Sequence, residues 1–207
     1  MIEIDGSILE GGGQILRTSV CLSALTRKPL RIYNIRAKRS KPGLRPQHLA
    51  AVASVAELTE AEVEGLKVDS QEVEFTPRDL RSGSFKFDIG TAGSSTLLLQ
   101  SLLPLAAYAP GEVSMEIRGG TNNPLAPPID YLQRTLLPML GQMGFKGRIE
   151  LLCRGFYPRG GGSIVAEVQP VKRLRSIQLL EFSEVCSVRG LSYSSRLPRH
   201  KIGRAHV

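Results

Sequence analysis

The sequence predicts an α+β fold made of two consecutive βαβαββ modules. Three observations predict it: runs of alternating apolar and polar residues, two small-residue turns that each lead into a helix, and a recurrence of the whole order after about 80 residues. The first module, residues 1–80, opens with a strand at 1–8 and a glycine turn, followed by a helix at 13–26. A basic strand, LRIYNIR, precedes a second helix opened by Pro46, where a missing N–H costs nothing. AEVEGLKV and EVEFTPRD close the module as strands.

The second module, residues 81–170, repeats this order. FKFDIG leads through GTAGSS into the apolar helix TLLLQSLLPLAAYA, and GEVSMEIRGG reads as a strand. PPIDYLQRTLLPMLGQMG is a helix with Ile129, Leu132, Leu136, Leu140 and Met143 on one face. GRIELLCRG and GSIVAEVQP complete the sheet. Helices and strands in this order form an α+β fold, with helices laid against mixed sheets. From Val171 the pattern changes, and RSIQLLEF and EVCSVRGLSYSS read as strands of the start of a further small domain, residues 171–200.

Composition narrows the function. With 207 residues the chain can bury a substantial core. No window holds the ~18 apolar residues of a membrane helix. MIEIDGSI lacks the charged-then-apolar order of a signal peptide. Cys21, Cys153 and Cys186 are widely spaced and form no CxxC, which points to reduced thiols and a cytoplasmic location. The net charge is +8, crowded into RIYNIRAKRSKPGLR (31–45) and VKRLR (171–175). Such clusters suit a polyanion, through attraction to phosphate. With no Trp and few aromatic residues, a base-stacking platform is not evident.

EGGGQILR, residues 10–17, places three glycines where a helix begins. Glycine costs a helix about 1 kcal/mol relative to alanine. Either a positive φ demands it, or the backbone lies close to a phosphate with its N–H groups turned toward it.

Five segments carry a family resemblance when read together: EGGGQILRTS, RAKRSKPGLRPQHL (36–49), GTAGSSTLLLQ ending at Gln100, GGTNNPLAPP (119–128) and RGFYPRGGG (154–162). In this order and on this repeat they resemble the RNA 3′-terminal phosphate cyclase family, from Ile4 to about His200. The resemblance implies a ligase that uses ATP and a divalent metal, Mg or Mn, to adenylylate a histidine. AMP passes to the 3′-phosphate end of an RNA, and the neighbouring 2′-OH displaces it to leave a 2′,3′-cyclic phosphate. The chemistry is coherent: AMP is a good leaving group on an otherwise inert phosphate, and the 2′-OH already lies beside the phosphorus.

The resemblance also assigns residues. Glu10 stands near the metal or the triphosphate, and Gly11, Gly12 and Gly13 form the phosphate turn. Arg17, Arg36 and Arg39 bind phosphate, ahead of Lys38 and Lys41, because a guanidinium makes bidentate contacts. Gln47 lies at a helix start and Gln100 contacts nucleotide, with Asn122 and Asn123 in a flanking loop. His48 is not the nucleophile, which in the family belongs to a third module expected beyond Val207; a supporting role is expected instead. Gly160–Gly162 permit close backbone packing between modules, and Cys21 is core.

RLPRH fits the family, but KIGRAHV (201–207) does not. Ile202–Val207 followed by a stop is what the opening codons of a common sequencing adapter spell, so these residues are expected to be a translated adapter tail. The chain is then expected to be a C-terminally truncated fragment, inactive alone. Two other readings remain in view. Cyclase-like ribosome-assembly factors share the fold and act by binding RNA, but differ at the glycine turn and the arginine cluster. Enolpyruvyl transferases use similar modules, and none of their motifs is present.

Overall fold

In a computed structural model, which describes residues 1–181, 184–193 and 195, the predicted order of elements is present twice. The first module comprises β1 (Ile2–Asp5), α1 (Gly13–Thr26), β2 (Leu30–Tyr33), α2 (Pro46–Thr59), β3 (Glu62–Glu64) and β4 (Val73–Thr76). The second comprises β5 (Gly83–Asp88), α3 (Ser95–Ala107), β6 (Val113–Gly119), a composite helix, β7 (Lys146–Cys153) and β8 (Gly162–Gln169). The composite helix is α4 (Ile129–Tyr131), a π-helical turn (Leu132–Leu136) and α5 (Leu137–Gln142).

The sheets have matching orders, β1-β2-β4-β3 and β5-β6-β8-β7. The pairs β1/β2 and β5/β6 are parallel and the others antiparallel. Parallel neighbours need a crossover, and α1 and α3 supply it. Alternation decides the faces. Leu30 and Ile32 of β2, and Val113, Met115 and Ile117 of β6, point into a continuous core, while Lys86 and Glu116 pair at 3.2 Å on the outer face of the second sheet. The modules meet through their helices, with α1 and α2 both packed on α3. The start of α2 thereby lies beside the turn before α3, with Gln47 next to Gly93.

Several elements are shorter than periodicity suggests. β1 stops at Asp5, whose carboxylate accepts the Ser7 N–H at 2.9 Å and starts a turn. β2 stops at Tyr33, because Asn34 and Arg36 take left-handed φ values of 53° and 56°, incompatible with a ladder. The π turn of the fourth helix lies just before Pro138, which lacks an N–H and crowds the carbonyl four residues back. On the predicted apolar face of this helix Ile129 and Leu132 are buried, whereas Leu136, Leu140 and Met143 are only half-buried.

A compact unit runs from Met1 to Ser176. Val171 and Leu174 pack on its core; the Val171 N–H donates to Ala107 O and the Arg175 N–H to Met143 O, each at 2.8 Å. The stretch expected from 171 to begin a new domain therefore stays with the second module to Ser176. The second unit spans Ile177–Val207. RSIQLLEF and EVCSVRGLSYSS form no strand over their described residues, a correction to the periodic reading. A strand persists only with a ladder partner, and among the described residues none pairs with them. KIGRAHV lies outside the described residues.

Candidate functional site

The glycine turn combines both reasons for glycine. Gly11 has φ +56° and donates to Ile8 O at 3.0 Å, so it makes the turn. Gly12 is the N-cap of α1 and supplies no side-chain cap. Gly13 is there for a neighbour: a Cβ would overlap the His48 ring and lie 3.1 Å from an Arg17 Nη. The first turn of α1 carries no acidic residue. Its leading N–H groups therefore lack both a helical carbonyl and a side-chain acceptor, the arrangement that favours an anion.

The basic loop after β2 is held at both ends. Ile35 and Leu44 are buried, the Ile35 N–H donates to Gln71 O, the Leu44 N–H donates to Ser70 O and the Asp69 N–H to Leu44 O, each at 2.9 Å. Arg36 is half-buried, and one Nη donates to Lys41 O at 3.0 Å and Gly43 O at 3.2 Å. Five donors per guanidinium leave others for a ligand. Burial, then Arg39 and Arg45, push Arg36 below the usual arginine pKa. Arg39 pairs with Glu10 at 3.2 Å, and Arg45 with Asp69.

Arg17, on the second turn of α1, has its Nε buried without a hydrogen-bond partner, and burial lowers its pKa. A guanidinium stays charged throughout, so Arg17 is a half-buried cation whose Nε has no hydrogen-bond partner among the described residues. His48 is 2% exposed. Its Nδ1 accepts the Arg45 N–H at 3.1 Å, and its own N–H donates to Arg45 O at 2.7 Å, closing the first turn of α2. Burial, then Arg36, Arg17 and Arg45, lower its pKa to about 4. His48 is therefore neutral at pH 7, with Nδ1 as acceptor and the proton on Nε2.

The expected residues thus fall into three places. Glu10, Gly11, Gly12, Gly13 and Arg39 line one groove of about 720 Å³, together with Ile8, Gln14 and Thr18. Arg17 lies with the His48 ring against Gly13, and the charges of Arg36 and Arg17, with that of Arg45, act on His48. Gln47 lines a different cleft of about 570 Å³ where the modules meet, with Arg45, Thr91, Asn123 and Tyr157. Gln100 is exposed on α3 and lines neither cavity.

The second module has its own corrections. Gly160 and Gly162 are required by close backbone approach, to Ala92 and to Gly119 and Gly155, so the packing is within the module and not between modules; Gly161 has open space and φ +74°. Asn122 accepts from Arg154 at 3.1 Å, and Arg154 forks onto Asp130 with two bonds of 2.8 Å. That pair ties the 119–128 loop to the fourth helix, and sequence reading missed it because its partners are remote in the chain. Cys21 is buried as expected, and burial raises its pKa to about 11. All three cysteines are free.

Among the described residues, no group of three or more His, Cys, Asp or Glu could cage a metal. One carboxylate beside a phosphate groove fits a different arrangement, in which a magnesium-like ion keeps waters and takes its other ligands from substrate phosphates. Glu10, paired with Arg39 at 3.2 Å, is the carboxylate that lines this groove. No helix among the described residues is long and apolar enough to cross a membrane.

With this geometry, the comparisons with known proteins are decisive. The family model of RNA 3′-terminal phosphate cyclase matches residues 8–202. The chain belongs to the RNA 3′-terminal phosphate cyclase family. A protein of that name from Ignicoccus hospitalis is 54% identical over 200 residues, covering 97% of this chain and 57% of the relative. Those from Hyperthermus butylicus and Nitrosospira multiformis are 57% and 52% identical, covering 97% and 99% of this chain and 56% and 58% of theirs. The chain therefore spans a little over half the length of these relatives. A crystal structure of the enolpyruvyl transferase NikO from Streptomyces tendae matches at TM-score 0.43 and 19% identity, over 76% of this chain and 30% of that one, too distant to bear on function.

Proposed function

We propose that this chain forms the ATP- and RNA-phosphate-binding part of an RNA 3′-phosphate cyclase. The observation that carries the reading is the uncapped, acid-free first turn of α1 beside Arg39 in one groove, with half-buried Arg17, whose Nε lacks a partner among the described residues, behind it. A triphosphate or a terminal phosphate would supply the acceptor that the first N–H groups of α1 and the Arg17 Nε lack.

In the proposed reaction a histidine nitrogen attacks the α-phosphorus of ATP and diphosphate leaves. An oxygen of the RNA 3′-phosphate then attacks the phosphorus of the adenylylated histidine, freeing the histidine. The 2′-oxygen attacks the 3′-phosphorus, loses its proton, and AMP departs. The groove residues bind and orient the phosphates, and a divalent ion, which Glu10 would hold, would offset their charge. The nucleophilic histidine is proposed to lie outside these 207 residues, so binding and labelling should separate.

Fluorescence anisotropy with an oligoribonucleotide tests this directly. A 3′-phosphate end should bind at least about tenfold tighter than a 3′-OH end, the scale of one to two charge-assisted contacts. Radiolabelled ATP should leave no covalent label on the chain. Equal affinity for the two ends would favour a general RNA-binding protein, and covalent labelling would place the nucleophile within these residues.

A further inference from the structure

At the third position of a helix, the side chain that reaches back to the N-cap N–H is ordinarily Glu or Gln. A carboxylate there also gains from the positive end of the helix dipole. In α2 that position is His48, and the first turn of α2 contains no acid. The ring performs the capping task, since Nδ1 accepts the Arg45 N–H at 3.1 Å.

The surroundings show what a carboxylate would do there. Arg17 from α1, Arg36 from the loop after β2, and Arg45 at the N-cap all bear on the His48 ring. Arg17 Nε is buried and lacks a partner. A glutamate would supply one within the cluster, and the cations would close on it. The ring instead lies against Gly13 at the start of α1, where the absence of a Cβ makes room for it.

We propose that His48 is a positioning residue used for its neutrality: it caps α2 and braces the start of α1 while offering Arg17, Arg36 and Arg45 no carboxylate. Arg17 and Arg36 thereby stay available to an incoming phosphate, while Arg45 is held by Asp69. The inference rests on reading this cluster as part of the phosphate site, and its test separates the two ideas.

The comparison is between His48→Gln and His48→Glu, which both keep a capping acceptor and differ in charge. Without ligand, at low salt and pH 7, His48→Glu should melt at least about 2 °C above His48→Gln, the shift of a modest net interaction in a chain of this size. Raised salt should shrink the difference. With a 3′-phosphorylated oligoribonucleotide, His48→Gln should retain affinity within about threefold of the parent. His48→Glu should lose about tenfold or more, as expected when an internal anion occupies the site. A merely structural histidine predicts that the variants bind alike. Equal or lower melting of His48→Glu, or failure of either variant to fold by circular dichroism, overturns the proposal. If the parent chain itself does not prefer a 3′-phosphate, the function reading fails, while the melting difference still decides whether a carboxylate is captured here.

Discussion

The turn before α1 and the turn before α3 occupy the same place in their modules, yet they spend their backbone donors differently. Both turns open alike, Asp5 accepting the Ser7 N–H at 2.9 Å and Asp88 that of Gly90 at 2.7 Å, but in the second module Thr91 also takes the Gly93 N–H at 3.1 Å and Ser94 caps Leu97 at 3.2 Å. The Ser95 N–H goes to Gly120 O at 2.9 Å. In the first module a glycine stands at the N-cap, with no side-chain cap and no acid in the first turn. One turn is satisfied from within and holds its module together. The other leaves the first N–H groups of its helix for something from outside, with a half-buried arginine behind it. Duplication of a fold therefore does not duplicate a site, which depends on which polar groups are left unpaired.

The largest effect that would sharpen this contrast comes from filling the first turn. In Gly13→Val the new side chain must displace the His48 ring and Arg17. Binding of 3′-phosphorylated RNA should fall at least about tenfold, with a loss of about 1–3 kcal/mol in urea denaturation, the usual range for overpacking. Retained affinity would show that the ring and the arginine do not need their present places.

Next comes acid sensitivity, which belongs to the first module through His48. Its pKa falls from 6.5 to about 4 on folding, so the unfolded chain binds the extra proton between those values. Stability should therefore be fully present above about pH 6.5 and fall as pH drops toward 4, by on the order of 3 kcal/mol from this group. Urea denaturation across pH 4 to 7 should show that slope, and His48→Gln should flatten it. An unchanged slope in the variant would assign the acid sensitivity to other groups.

The smallest effect belongs to the second turn. Ser94→Ala removes a side-chain cap and should cost about 1 kcal/mol of stability while leaving RNA affinity within about twofold. A large loss of binding in this variant would break the comparison and give the second turn a ligand of its own.

Much of the site could be read in the chain because its parts are contiguous. Gly11–Gly13, a contiguous motif, line one groove with Arg39, and α1 begins at Gly13 as its periodicity required. Gln47 and Gln100 belong to the same family pattern, but one faces the cleft beside Thr91 and Asn123 and the other stands exposed on α3. No local signal tells these cases apart, since each residue sits on a helix with ordinary neighbours. The left-handed Arg36, which ends β2 early, was equally hidden, because non-glycine residues rarely announce a positive φ.

The sequence by itself determined the repeated βαβαββ order, the crossover helices and the glycine turn. Hydrophobic period and backbone permissiveness are properties of neighbouring residues. Tertiary structure alone decided that Gly13 faces His48, that His48 is buried and neutral among three arginines, and that Arg17 keeps an unpaired donor. Charge state and hydrogen-bond satisfaction depend on groups far apart in the chain, and only packing α1, α2 and the basic loop together brings those groups within reach of one another.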